Sequence, residues 1–452
     1  MSLNVRSGWL PVTFDKRIRI FVLGLSASAS FGAFAGGCDD RTGGDTVMPD
    51  AGRGSRPDAD LDVPVPVPDS GSDAADASAD ASTDCPPGST LRRTRTACVG
   101  APLVPPPAFA SDLAAASPGD VVSMAGLNES TAPCLPVVVC TPADAPVMLF
   151  SDSPESPAQD GVLYADTVAA GSYRFYVYHT NGGTSLRKFP IVALNSGALP
   201  AKITIVRRGL AAPSTAYVSV GKTVLLDWFV DRPPVEVVVP AGARVLLDGA
   251  LDQLHAAQNE LVHALYDVVT DGPLKISFVS VAATADAAAV TAGLALLTRD
   301  VDHQRGTFPA ADVVVAAASV GAQKPGVQRL RLGLDEVDDT LEGIDAPTGA
   351  AQKLLGNYGM LYRFALRASP STRVGISPRG GGWGGIAKLG PVPGSDAGSD
   401  AGSRVVILPT ATESLGSTTD AIVVGGVDVG TEVRLLTGGG SNLPIDLFLV
   451  TP

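Results

Sequence analysis

Four histidines, one run of closely spaced carboxylates and two glycine-containing loops are where this 452-residue chain could do chemistry. The spacings of His179, His255, His263 and His303 match no metal-ligand motif. His263 alternates with Leu261 and Leu265, as a packed strand residue does. Asp335, Glu336, Asp338 and Asp339, continued by Glu342 and Asp345, supply the oxygen donors that calcium takes, so Ca2+ is the metal candidate. No Gly stands at the turn position of an EF-hand, and a solvated acidic loop is the plainer expectation. Gly221-Lys222-Thr223 ends like a phosphate loop, but Ala216 occupies the place of the first glycine such a loop needs. Gly380-Gly381-Gly382-Trp383-Gly384-Gly385 has the literal GxGxxG spacing without a strand before it or a helix after it. It reads as a flexible glycine-rich loop holding out Trp383, with Tyr358 and Tyr362 nearby, to stack on a sugar or a partner side chain. Neither GxSxG nor HExxH occurs, so the common serine hydrolase and zinc protease patterns have no foothold.

The cysteines speak of address rather than catalysis. Arg6, Lys16, Arg17 and Arg19 precede an apolar run from Ile20 to Phe34, and Ala35-Gly36-Gly37-Cys38 follows as a small-residue cleavage site. The run is interrupted by Ser26, Ser28 and Ser30, too short and polar for a permanent transmembrane helix. Because the site ends in Cys38, it resembles a bacterial lipoprotein box. That resemblance implies that residues 1–37 are removed and that Cys38 is lipidated, anchoring an exported protein to the cell envelope. Ala35 stands where the box usually has Leu. Cys85 and Cys98 are separated by twelve residues and Cys134 and Cys140 by five, which suits an oxidising compartment. Of the three possible pairings, the two local ones are expected. With no CxxC and no neighbouring His, a zinc site is not.

Residues 38–84 cannot bury a core. From 39 to 84 they hold twelve Asp against three Arg, a balance of −9 within the chain's formal −13, with no Lys or Glu and few large apolar residues. Such a segment serves as a disordered acidic tether. Its composition is similar to the tethers of myxobacterial surface lipoproteins. It repels phosphate, and residues from 145 onward have no basic run longer than a pair such as Arg207-Arg208, so nucleic acid is excluded as a partner.

From about residue 145 the chain changes to short Val, Ile, Tyr and Phe runs broken by Gly, Pro, Asp or Asn, the pattern of antiparallel β-structure. Tyr173, Phe175 and Val177 share one face of a strand, and Lys202 to Ile205 alternates likewise. Thr270-Asp271-Gly272-Pro273 predicts a hairpin between Leu261–Val268 and Leu274–Val281, and Pro240-Ala241-Gly242 predicts another between Val235–Val239 and Arg244–Leu247. Lys222 to Phe229 and the Ala-rich stretch from Ala285 to Leu297 are the helical exceptions. Gly161–Val168 reads like Gly306–Val313, a weak duplication. The organisation expected is all-β, with two tandem immunoglobulin-like β-sandwiches at 145–298 and 299–452 after a small Cys-containing segment at 85–144. Residues 394–403 form a flexible loop within the second.

The runs Leu149-Phe150-Ser151-Asp152-Ser153-Pro154-Glu155, His303-Gln304-Arg305-Gly306-Thr307-Phe308 and Leu355-Gly356-Asn357-Tyr358-Gly359 resemble those of exported bacterial proteins labelled copper amine oxidase N-terminal-like. The resemblance spans 145–452 and implies β-sandwich architecture and no assigned activity. Gly359 replaces the acidic or amide residue expected beside a cofactor tyrosine, and no His-x-His pair is present to bind copper. The expectation is therefore a lipid-anchored, non-catalytic envelope or surface protein acting by binding, with a protein or glycan as ligand. The alternatives are an extracytoplasmic hydrolase with its site where the two domains meet, or a calcium-stabilised adhesin.

Overall fold

Alternating apolar residues need two sheets to face each other, and the described residues supply four. The computed structural model describes residues 85–86, 88–95, 103–320, 326–333, 340–369, 371–391, 402–428 and 430–451. Cys38, Cys98, the carboxylates Asp335, Glu336, Asp338 and Asp339, and most of the 394–403 loop lie outside the described residues. An eight-stranded sheet runs in the order Val235–Val239, Ala201–Leu210, Leu261–Thr270, Gly171–Thr180, Val147–Ser151, Arg305–Phe308, Leu341–Asp345, Ala350–Leu354. It packs on a five-stranded sheet of Arg244–Leu246, Ile191–Leu194, Leu274–Ala282 and Gly161–Val168, with Arg187–Lys188 paired to Leu274–Ala282. Phe175, Val177 and Tyr266 meet Ile191, Ile276 and Phe278 in the core between them. The second sandwich opposes a seven-stranded sheet, Ser89–Arg95, Val137–Pro142, Asp312–Val320, Leu361–Ala368, Thr431–Thr437, Gly385–Pro391, Arg404–Leu408, and a five-stranded one, Gly326–Leu332, Ile445–Thr451, Thr372–Pro378, Asp420–Val427, Val121–Ser123. The protein is thus all-β in a sandwich architecture. No helix among the described residues is long and apolar enough to cross a membrane.

The sheets do not respect the expected boundary near residue 299. Arg305–Phe308, Leu341–Asp345 and Ala350–Leu354 extend the first sandwich, covering what would otherwise be the open edge of Val147–Ser151. In return, Ser89–Arg95, Val121–Ser123 and Val137–Pro142 complete the second, so 85–144 is no separate segment. The duplicated runs are not equivalent either: Gly161–Val168 is one strand, whereas Gly306 and Val313 lie in strands of different sheets. Among the described residues two strand pairings are parallel, Val147–Ser151 with Gly171–Thr180 and Asp312–Val320 with Leu361–Ala368.

Both expected hairpins are arches between facing sheets. Leu261–Thr270 pairs with Gly171–Thr180 and Ala201–Leu210, while Leu274–Ala282 pairs with Gly161–Val168 and Ile191–Leu194 in the other sheet. Gly272 does not take the positive φ of a tight hairpin turn. Asp271 instead caps a neighbouring strand, its carboxylate accepting from the Lys202 N–H at 2.7 Å. Val235–Val239 and Arg244–Leu246 likewise belong to opposite sheets. The Lys222–Phe229 expectation matches a helix that begins earlier, Tyr217–Trp228. The Ala-rich stretch holds only a short helix, Ala287–Val290, and a 3-10 turn, Thr291–Gly293.

The two sandwiches are fused. Tyr173, Phe175 and Val177 face the first core as the alternation requires, yet Arg174, Tyr176 and Tyr178 on the opposite face are buried too. Tyr176 and Tyr178 join Phe150, the Tyr217–Trp228 helix and the interior of the second sandwich in one apolar cluster. Arg174 is ion-paired with Asp267 of its own sheet at 2.7 Å and Asp312 of the seven-stranded sheet at 2.8 Å, and donates to the Ala311 and Gly359 carbonyls. Cys85 bonds Cys140, correcting the expected local pairs. The reason is topological: Ser89–Arg95 lies antiparallel beside Val137–Pro142, which returns Cys85 over Cys140, whereas Cys134 bridges to Arg329 in the opposing sheet. Cys134 is itself disulfide-bonded. Closing a separation of 55 residues contributes about 4 kcal/mol on the chain-entropy account.

Candidate functional site

Where the sandwiches meet, loops following and preceding three strands enclose a cleft of about 230 Å³ lined by Asp152, Glu155, Tyr176, Tyr178, His303, Tyr358 and residues 440–442. Each wall has a structural cause. Asp152 follows Val147–Ser151 and is pinned by its N–H to the Gln304 carbonyl at 3.2 Å, because the strand Arg305–Phe308 runs alongside. Glu155 donates its N–H to Asp300 Oδ2 at 2.8 Å. His303 sets one ring nitrogen against Glu155 Oε2 at 2.8 Å and the other against Asp300 Oδ1 at 3.0 Å. Tyr176 and Tyr178 project from the outward face of Gly171–Thr180. Tyr358 donates its hydroxyl to the Ser441 carbonyl at 2.7 Å, joining the 355–358 turn to the opposite wall.

That opposite wall depends on glycines. Gly221, inside the Tyr217–Trp228 helix, lets the backbone of Gly439 approach so closely that a Cβ there would stand 2.2 Å from the Gly439 carbonyl oxygen. Lys222 donates to the carbonyls of Pro409, Thr412 and Glu413 at 2.7, 3.0 and 3.1 Å. The apparent phosphate-loop triplet is therefore a clasp between helix and second sandwich. Gly380–Gly385 is ordered rather than flexible: Gly380 packs on the Leu443 backbone, and Gly382 and Gly384 hydrogen-bond Asn442 and Ser441.

Burial first, then the neighbouring Glu155 and Asp300 carboxylates, push the Asp152 carboxyl well above the usual carboxylate range. Asp152 Oδ1 is sealed from solvent and accepts no hydrogen bond from any described residue, although the residue as a whole keeps partial exposure. Asp300 goes the other way. Burial raises it, but the Glu155 and His303 N–H groups and the His303 ring outweigh burial and hold it below the ordinary value. Burial and the adjacent carboxylates raise the tyrosines, Tyr358 to about 12 and Tyr176 and Tyr178 further, so all three keep their hydroxyl protons at neutral pH.

Behind the cleft, Ser151 Oγ and His179 Nε2 lie 2.9 Å apart, and His179 Nδ1 donates to the Pro154 carbonyl at 3.0 Å. This is the hydrogen-bond order of a Ser–His nucleophile pair. Both residues are fully buried, and burial lowers His179 to about 3. The pair holds the 152–155 loop and reaches no substrate. His263 is also fully buried, its Nδ1 donating to the Val177 carbonyl at 2.7 Å, so it is the packed residue its alternation implies.

Of the aromatics read as ligand-stacking, Tyr358 lines the cleft, whereas Trp383 and Tyr362 do not. Trp383 is fully buried, held by reciprocal backbone hydrogen bonds with Leu415 at 2.9 Å, because the second core needs its volume. Tyr362 points into that same core beside Phe364. The two described members of the acidic run are engaged elsewhere. Asp345 is buried against Arg305, at 3.1 Å, and exposed Glu342 pairs with Lys353. Among the described residues, no group of three or more His, Cys, Asp or Glu is arranged to hold a metal ion. Sequence reasoning missed Asp152, Glu155, Tyr176 and Tyr178 as site residues. A signal existed nonetheless: the three runs 149–155, 303–308 and 355–359 all contribute to the walls of this one cleft or to the strands beneath it.

No protein-family model matches the chain, and none of the curated proteins matches it. Among solved structures it is similar to the crystal structure of vicilin from Corylus avellana (hazelnut), at 10% identity over 67% of this chain and 86% of that one, with a TM-score of 0.11. It is similar also to Lac15 from a marine microbial metagenome, at 12% identity over 68% and 72% of the respective chains, with a TM-score of 0.11. Neither likeness, at those scores, bears on what this chain does.

Proposed function

We propose that this is a lipid-anchored, exported protein of the cell envelope or surface that acts by binding a small ligand in the cleft between its sandwiches. The observation that supports it is the cleft itself, about 230 Å³, lined by Asp152, Glu155 and His303 together with Tyr176, Tyr178 and Tyr358. The Cys85–Cys140 disulfide fits a compartment outside the reducing cytoplasm.

Two measurements test the two parts. In a bacterial host that processes lipoproteins, the wild-type chain labels with a fatty-acid analogue and fractionates with membranes, and Cys38→Ala abolishes the label and releases the protein. Labelling that survives Cys38→Ala removes the anchor from the reading. For the cleft, thermal unfolding against a panel of envelope glycans and small polar compounds gives an upward shift that Tyr358→Ala reduces. No shift with any compound replaces the cleft reading with protein binding on another surface. Turnover of the bound compound replaces it with the hydrolase reading, which the pairing of His303 with two carboxylates favours.

A further inference from the structure

The helix Pro107–Ala115 covers the outer face of the five-stranded sheet in the second sandwich, setting Phe109 and Leu113 against Val423, Phe448 and Val450. Its cover is incomplete. Ala110, Ala114 and Gly426 carry at most a methyl group, and between helix and sheet they leave a groove of about 540 Å³. That lies inside the roughly 300–1,000 Å³ of small-molecule sites. Leu113, Val427 and Val450, all buried, give it an apolar floor. It shares no residue with the cleft between the sandwiches.

A guanidinium crosses this groove. Arg373 donates from Nη2 to the Ala114 carbonyl at 2.6 Å, and its Nη1 lies 3.5 Å from where a Cβ on Gly426 would stand. The charge is thereby placed between the helix end and the strand Asp420–Val427. Capping that open carbonyl uses one of five N–H donors. Arg331 on the same sheet and Arg379 just beyond it are matched to Asp446 at 2.8 and 3.0 Å, whereas Arg373 pairs with no carboxylate among the described residues. Asp428 stands exposed at the rim, its carboxylate taken by the Thr431 hydroxyl. It makes no ion pair with Arg373, and it disfavours an occupant with more than one negative charge. A neutral apolar occupant would cover the guanidinium without offering it an acceptor, and a cationic one would meet like charge.

We infer that the groove takes a small organic carboxylate with an apolar body. The carboxylate accepts from the donors that Arg373 has left, a pairing that the planar guanidinium favours over a point charge. The chain or ring lies over Leu113, Val427 and Val450, which withdraw its surface from water. This site goes beyond the cleft and does not depend on it.

The experiment is calorimetric titration of the purified full chain, near neutral pH, with octanoate and benzoate. Octanamide and benzamide, which keep the apolar body and lose the charge, are the neutral comparisons. The carboxylates are expected to bind at least about tenfold more tightly than the amides. Arg373→Gln is expected to remove that advantage, and Arg373→Lys, which keeps the charge without the fork, to remove only part of it. Ala110→Trp fills the groove from a helical position and is expected to abolish binding of all four compounds, with thermal unfolding showing that the variant is folded. Amides binding as tightly as carboxylates overturns the assignment. So does binding by none of the four, or carboxylate binding that neither Arg373→Gln nor Ala110→Trp changes.

Discussion

Lowering the pH from about 7 to about 4 removes several kcal/mol of folding stability, with the loss setting in as pH falls through about 6.5. The cause is a pair of histidines folded neutral. Burial lowers His179 to about 3 and His263 to about 4, and the one carbonyl that each ring donates to only partly offsets this. Unfolded histidine takes its proton near 6.5. Between that pH and the folded values, the unfolded chain binds up to two more protons than the native one, so acid favours unfolding. Asp152 has the opposite sign. Its folded carboxyl holds a proton at higher pH than the unfolded one does, so protonating it offsets part of the loss. The check is urea denaturation at stepped pH for the wild type and for His263→Phe, which keeps a ring against Tyr176 and Tyr178. The variant's profile is expected to be the shallower, and a wild-type profile flat from 7 to 4 would refute the account.

Arg174→Met is expected to cost about 3–5 kcal/mol, the magnitude typical of removing one partner of a buried ion pair. Arg174 is 1% exposed and lies between two carboxylates from different sandwiches, with its guanidinium 5.0 Å from the Trp228 ring. Its removal strands Asp267 and Asp312 and leaves the Ala311 and Gly359 carbonyls short of a donor. Adding Asp312→Asn to Arg174→Met should recover part of the loss, because the uncompensated charge goes with it. Denaturant midpoints of the two single variants and the double variant measure the coupling. A loss below about 1 kcal/mol for Arg174→Met would show that the sandwiches do not depend on this residue.

The β-class was legible because apolar alternation is local, and Tyr173, Phe175 and Val177 point where that alternation puts them. Sheet membership was not. Asp271-Gly272 signals a reversal of direction, but whether the returning strand pairs with its predecessor or crosses to the facing sheet depends on edges supplied by distant residues. The same limit hid the burial of Arg174, Tyr176 and Tyr178, which reads as a solvent face until a second sandwich covers it. The cleft was half legible. His303, Tyr358 and the junction near Arg299-His303 stand out in the sequence. Asp152 and Glu155 sit in a short Ser/Pro loop whose significance appears only once Asp300 hydrogen-bonds to it. Trp383 misled because glycines on both sides suggest freedom, whereas here they allow backbones to touch.

The exchange of strands between the sandwiches also fixes an order of events. A chain emerging from its N-terminus reaches residue 298 with Val147–Ser151 still lacking the neighbour that Arg305–Phe308 provides, and Val137–Pro142 waits for Asp312–Val320. Neither half can close its sheets by itself. The cleft, walled by residues 152–155 on one side and 440–442 on the other, comes into being only once residue 442 has been made; a product truncated before it would carry the acids without the enclosure that makes them a site.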